Sequence, residues 1–141
     1  MSNAVMLQDW ITITGGGTAS PNNVIIQNEA NWLDVSGYQD VCVYFQLGAN
    51  SNASATVVSI QTSPTKDEAF FAAKIGSTAA LATFSTTSGT TPGVQTLVAS
   101  RWATEANQPL SKYLRWLATF PTGSAATLTF RIWLTLNQAG Y

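Results

Sequence analysis

The sequence has no histidine, and that absence removes both the commonest general base and the commonest metal ligand. Hydrolytic triads and zinc sites of the usual kinds are excluded with it. A single cysteine, Cys42, leaves no partner for an intrachain disulfide, so a stapled secreted core is not indicated. Cys42 lies in an apolar run and is expected to be a small buried hydrophobe. Charge is scarce as well: 9% of the 141 residues are charged, against the ~25% of a typical soluble domain, and the net charge is −1. The basic residues Lys66, Lys74, Arg101, Lys112, Arg115 and Arg131 are scattered along the chain. They form no stripe that would displace counterions from nucleic acid, so that partner class is set aside. No apolar run approaches the ~20 residues needed to cross a bilayer. Met1 to Leu7 lack the basic and apolar regions of a secretory signal, so neither a membrane partner nor a leader is expected.

The carboxylates are equally unpromising as chemistry. They are Asp9, Glu29, Asp34, Asp40, Asp67, Glu68 and Glu105. Glycoside hydrolysis, which needs two of them to converge, is the one enzyme class the inventory leaves open. Asp67 and Glu68 are adjacent, and in an extended segment their side chains point to opposite faces. Asp34 and Asp40 flank the Ser36-Gly37 turn, where Asp commonly bonds local backbone, and neither belongs to a calcium-loop spacing. Gly15-Gly16-Gly17 lacks the Lys of a phosphate-binding loop and precedes no helical pattern, so it reads as a flexible turn. The expectation is a protein that is not an enzyme, with no catalytic residues, no cofactor and no metal.

What the sequence does have is alternation, the signature of strands with one buried face. Val41, Val43, Phe45 and Leu47 fall on one face, and Cys42, Tyr44 and Gln46 on the other. The longest run sets Leu128, Phe130, Ile132, Leu134 and Leu136 against Thr127, Thr129, Arg131, Trp133 and Thr135. Ser111 to Phe120 and Ser54 to Thr62 alternate in the same way, each with one wetter face. Weaker strands are expected over Gln8 to Thr14, Asn23 to Gln27, Trp32 to Val35, Ala69 to Ile75, Ala79 to Phe84 and Val94 to Val98. Turn residues rich in Gly, Pro, Asn and Ser separate them. Thr83 to Gly93, rich in Thr, Ser and Gly, reads as one long exposed loop. Only Arg101 to Gln108 has room for a short helical turn. Such punctuation implies an all-β fold, a two-sheet antiparallel β-sandwich, with residues 1–141 as one domain. Residues 1–7 are a candidate extended N-terminal arm.

The aromatics then become informative. Tyr44 and Trp133 lie on the outward phase of strong strands and need a partner other than the core. Arg131 shares the Trp133 face, while Tyr113 and Arg115 lie on the phase opposite Trp116. If the last two long strands pair, Tyr113, Arg115, Arg131 and Trp133 gather into one outer cluster of arginine and aromatics. Such a cluster suits an interface between subunits. A sugar ring stacked on an aromatic platform is an alternative, and so is cover from a loop of the same chain. Tyr44, Tyr113, Arg115, Arg131 and Trp133 are the interface candidates.

The order of these motifs resembles that of a loose group of phage head decoration and virion proteins. The resemblance runs through Trp32-Leu33-Asp34-Val35-Ser36-Gly37-Tyr38, the alternating Val41 to Leu47, and Val57-Val58-Ser59-Ile60-Gln61-Thr62-Ser63-Pro64. It continues with Lys112-Tyr113-Leu114-Arg115-Trp116 and the alternating Leu128 to Leu136. It implies a jelly-roll sandwich, made in the host cytoplasm, that sits on the virion capsid surface. Its partners would be copies of itself, a trimer being favoured, together with the major capsid protein or other virion proteins. Minor tail or baseplate proteins and carbohydrate-binding appendage modules share the same sandwich physics and stand as alternatives. No catalytic or ligand-binding residues carry over from the resemblance.

Overall fold

The alternating segments form strands whose apolar phase is removed from water. The computed structural model describes residues 2–16, 23–38, 40–51, 56–72, 82–86, 93–100, 110–121 and 125–138. In β4 (Asp40–Asn50), Val41, Val43, Phe45 and Leu47 are buried, while Cys42, Tyr44 and Gln46 are half-buried on the opposite face. β9 (Ala125–Asn137) buries Leu128, Phe130, Ile132, Leu134 and Leu136 and turns Arg131 and Trp133 outward. β5 (Thr56–Ser63) and β8 (Tyr113–Thr119) bury Val58, Ile60, Leu114, Trp116 and Ala118. The remaining strands are β1 (Ser2–Gly16), β2 (Val24–Ile26), β3 (Leu33–Asp34), β6 (Ala82–Thr86) and β7 (Gly93–Ser100).

These nine strands of the described residues make two antiparallel sheets. One has four strands in the order β1-β9-β4-β7. The other has the order β2-β8-β5-β6, with the short β3 also paired to β8. The pairing is nested: β1 pairs with β9, β2 with β8, β4 with β7, and β5 with β6. A chain folded back on itself and then rolled so that its pairs alternate between two sheets is a jelly roll. The fold is therefore an all-β sandwich of the expected kind.

Aromatic side chains fill the space between the sheets. Phe45 of β4 stacks on Phe84 of β6 with centroids 4.8 Å apart, and Phe130 of β9 meets the edge of Trp116 of β8 at 5.2 Å. Each such side chain contributes about 1.5–3 kcal/mol by leaving water. A polar stitch closes the sandwich along the β1 side, where Gln27 is 3% exposed. Its Nε2 donates to the Leu7 carbonyl at 2.8 Å, and its Oε1 accepts from the Trp116 N–H at 3.1 Å. Trp116 Nε1 in turn donates to Gln8 Oε1 at 2.9 Å, tying β8 back to β1.

Several expectations are corrected. Ala69 to Ile75 does not begin as a strand: Glu68–Ala72 is a short helix, α1, whose Ala69 N–H is capped by Asp67 Oδ1 at 3.0 Å. Thr83 to Gly93 is not all loop, because residues 83–86 belong to β6 and β7 begins at Gly93. Residues 2–7 of the candidate extended arm lie along β9 as the first part of β1. The glycine run is not wholly a turn either, since Gly15 and Gly16 pair with Ala126 and Ala125, and Gly16 takes a φ of 80°. Cys42 is half-buried, because it lies on the outward phase of β4. The helical turn expected over 101–108 and residues 73–75, 79–81 and 87–92 lie outside the described residues.

Candidate functional site

The outer face of the four-stranded sheet is organised as cross-strand rows. Trp133 stands in register between Met6 of β1 and Tyr44 of β4, so the two outward aromatics are direct neighbours. In the next row Arg131 pairs with Gln46, and Gln46 with Val94 of β7. Arg131 Nε donates to Gln46 Oε1 at 2.5 Å. On its other side the register of β1 shifts between Gln8 and Ile11, a bulge that brings Asp9 and Trp10 to the level of Arg131. The Arg131 guanidinium carbon lies 4.9 Å from the centroid of the Trp10 ring. Threonines continue the face, with Thr12 and Thr129 hydroxyls 2.8 Å apart.

Gly48 explains how Trp10 lies across this face. It sits at a second register shift, between Leu47 and Ala49, and a Cβ there would come within 2.8 Å of Trp10 Cζ3. Glycine leaves room for the indole to rest on the sheet backbone. Trp10 is 45% exposed there, one of the most exposed large hydrophobic side chains described.

Tyr44, Arg131 and Trp133 are therefore brought together, but Tyr113 and Arg115 are not. β8 and β9 belong to different sheets, so the single outer cluster that their pairing would have formed does not exist. Arg115 is moreover 1% exposed. Its Nε donates to Gln61 Oε1 at 2.9 Å, and its terminal nitrogens bind both oxygens of Glu68 at 2.5 and 2.7 Å. The guanidinium packs against Phe71 at 3.9 Å and Trp32 at 5.0 Å. The physical reason is α1, which lies over this end of the second sheet and covers what alternation alone marks as a wet face. Tyr113 is half-buried beside it, with the Lys66 and Lys112 ammonium groups 5.6 and 5.3 Å from its ring.

Trp10 is the member of the outer platform that the sequence leaves unassigned to it. The period of β1 is broken by its bulge, so the indole's face could not be read from alternation; Gly48, facing a large side chain, was the one signal available.

Nothing in the described residues assembles acid-base or metal chemistry. Asp34 Oδ1 accepts from the Ser36 N–H at 2.9 Å, and this backbone bond holds the carboxyl below its ordinary range. Glu68 is held low by its hydrogen bonds from Arg115. No three His, Cys, Asp or Glu side chains converge among the described residues. A cleft of about 300 Å³ beside the β1 bulge is lined by Met6, Leu7, Gln8, Asp9 and Asn31, with Asp9 its one carboxylate. A lone carboxylate cannot serve as an acid-base pair. No helix of the described residues is long and apolar enough to cross a membrane.

No family model matches the chain, and no curated protein matches it. Among solved structures, one similar chain is described as belonging to Bacillus endospore appendages that form a family of disulfide-linked pili. The two are 12% identical with a TM-score of 0.46, and the match covers 99% of this chain and 92% of that one.

Proposed function

We propose that this protein is a structural subunit that works by association, with copies of itself and with the surface of a larger particle. In its specific form the proposal is a decoration or cement subunit on the outside of a phage capsid, in keeping with the motif order from Trp32 to Leu136. The observation that carries the associative reading is the platform of Trp10, Arg131, Trp133 and Tyr44 on the outer face of the four-stranded sheet. Trp, Tyr and Arg are the side chains favoured at the centres of protein interfaces, and interface centres are poor in charge. Here an arginine is held between Gln46 and an indole, on a chain whose charged fraction is 9%. Loss of charge repulsion between copies lowers the barrier to close approach.

The test is the solution mass of the purified chain by light scattering or sedimentation. The proposal expects a multiple of 15.0 kDa that persists on dilution into the micromolar range, and a lower multiple for Trp133→Ala. The half-exposed Trp10 ring supports a second reading, a sugar ring stacked on the platform. A monomer whose migration is retarded in polysaccharide gels, with retardation lost in Trp10→Ala, would favour that reading instead.

A further inference from the structure

Both edges of the sandwich are composed so that one copy can continue the sheets of another. Among the described residues, β1 and β7 end the four-stranded sheet, and β2 and β6 end the main path of the other. β1 touches β2 and β6 touches β7, so the molecule has two sides, one made of β1 and β2 and the other of β6 and β7. Every neighbouring pair is antiparallel, and each main path has an even number of strands. The two end strands of each sheet therefore run in opposite directions. A second copy placed beside the first without being turned end over end brings its β7 antiparallel to β1 and its β6 antiparallel to β2. An odd number of strands would have made these joints parallel.

The register supplies the level. Through Tyr44 and Trp133, Thr96 of β7 lies on the row of Met6, and through Asp40 and Asn137, Ser100 lies on the row of Ser2. A copy docked at the same height sets its residues 96–100 along residues 2–6 of β1. Beyond Met6 the bulge closes the edge: Gln27 occupies the Leu7 carbonyl, and Asp9 Oδ1 accepts the Trp10 N–H at 2.7 Å. At that point the row instead offers apolar surface on both sides. Trp10, 45% exposed, and Val94, 57% exposed, sit on the same row and the same face at opposite edges. In the docked pair Val94 of one copy comes beside residue 10 of the next along the β1 backbone and loses contact with water there, while the Trp10 ring itself lies inward over Gly48.

The area is sufficient for a specific joint. Eight residues of β7 span about 27 Å, and two sheets about 10 Å apart with their side chains make a side about 20 Å deep. Roughly 500 Å² is removed from each copy, about 1,000 Å² in total, the lower bound for a specific interface.

We infer that copies of this chain join head to tail through their sheet edges, β7 and β6 of one against β1 and β2 of the next. The inference rests on the associative reading proposed above and adds a contact through the sheet edges to that of the outer-face platform. Such a joint is heterologous, so it repeats, closing into a ring or extending as a filament according to the rotation at each step.

Cross-linking in a Cys42→Ser background tests it. Trp10 and Val94 of one chain are three strand spacings apart, about 14 Å, too far for a disulfide within one molecule. Mixing the Trp10→Cys and Val94→Cys chains under mild oxidation should give a disulfide dimer containing one of each, with neither chain cross-linking alone. A chain carrying both substitutions should give a ladder in steps of 15.0 kDa. Met6→Cys with Thr96→Cys, the pair that shares the neighbouring row, repeats the test with the indole intact. Dimers of either single variant with itself would show a two-fold edge and overturn the head-to-tail joint. Oligomers by light scattering with no mixed cross-link from either pair would overturn the edge assignment and leave self-association standing, whereas a monomer would overturn both.

Discussion

Two side chains show how far local chemistry departs from what position in a strand suggests. Arg115 occupies an outward position yet is 1% exposed, because Glu68, Gln61, Phe71 and Trp32 enclose its guanidinium. A buried charge is tolerated when its donors are satisfied, and a bidentate carboxylate satisfies two of them. Glu68 is itself 60% exposed, so solvent screens part of the attraction. Glu68→Gln should cost about 1 to 2 kcal/mol at neutral pH, read from urea unfolding. Because Arg115 lowers the Glu68 pKa on folding, the ion pair stabilises the protein above the ordinary value of 4.5 and fades as pH falls through the lower folded value. The gap between wild type and Glu68→Gln should accordingly narrow as pH falls progressively below 4.5. A gap unchanged there would show that the pair is not what Glu68 contributes. Gln27 makes the opposite case, a neutral side chain that serves carbonyl and amide groups of β1 and β8. Gln27→Leu leaves both backbone groups buried and unpaired and should cost about 3 kcal/mol, checked by the unfolding midpoint at constant slope. Neither role was legible in the sequence, because each depends on a partner far along the chain: 47 residues for Arg115 and 89 for the Gln27 to Trp116 bond.

At the scale of elements, legibility follows period and length. β4, β8 and β9 bury the residues their alternation assigns to the core, because seven or more residues of alternation leave no second solution. α1 failed the same reading. Its five residues are too few to show a 3.6-residue period, and Phe70-Phe71 sits as readily in a short strand. The visible clue was Asp67, which caps the helix, preceded by Thr65 and Ser63, whose hydroxyl oxygens accept from the Asp67 and Thr65 N–H groups. β1 is the other instructive element. Two register shifts between Met6 and Ile11 break its period and aim Trp10 outward across the sheet. Gly48→Ala would place a methyl within 2.8 Å of that ring. The substitution should lift the indole from the sheet, shifting tryptophan emission to the red while lowering stability by only about 1 kcal/mol, since the ring has water to move into. An unchanged spectrum would show that Trp10 does not rest there in solution.

For the whole molecule, alternation states which residues face inward but not which strand lies next to which. The sandwich was therefore legible from the residues, while the split of β8 and β9 between two sheets was not, and the candidate cluster divided with it. Tyr44, Arg131 and Trp133 stay together because β4 and β9 are neighbours; Tyr113 and Arg115 belong to the opposite outer face. The result is a molecule with one side sheltered by α1 and the other carrying an aromatic platform on a scaffold of little charge. That asymmetry is the physical basis for reading it as a building unit. The most direct measurement is the sedimentation mass of wild type and Trp133→Ala at matched concentrations. The account predicts a stable multiple of 15.0 kDa for wild type and a smaller species for the variant with its β-sheet spectrum intact. A wild-type chain that sediments as a monomer at micromolar concentration would contradict it.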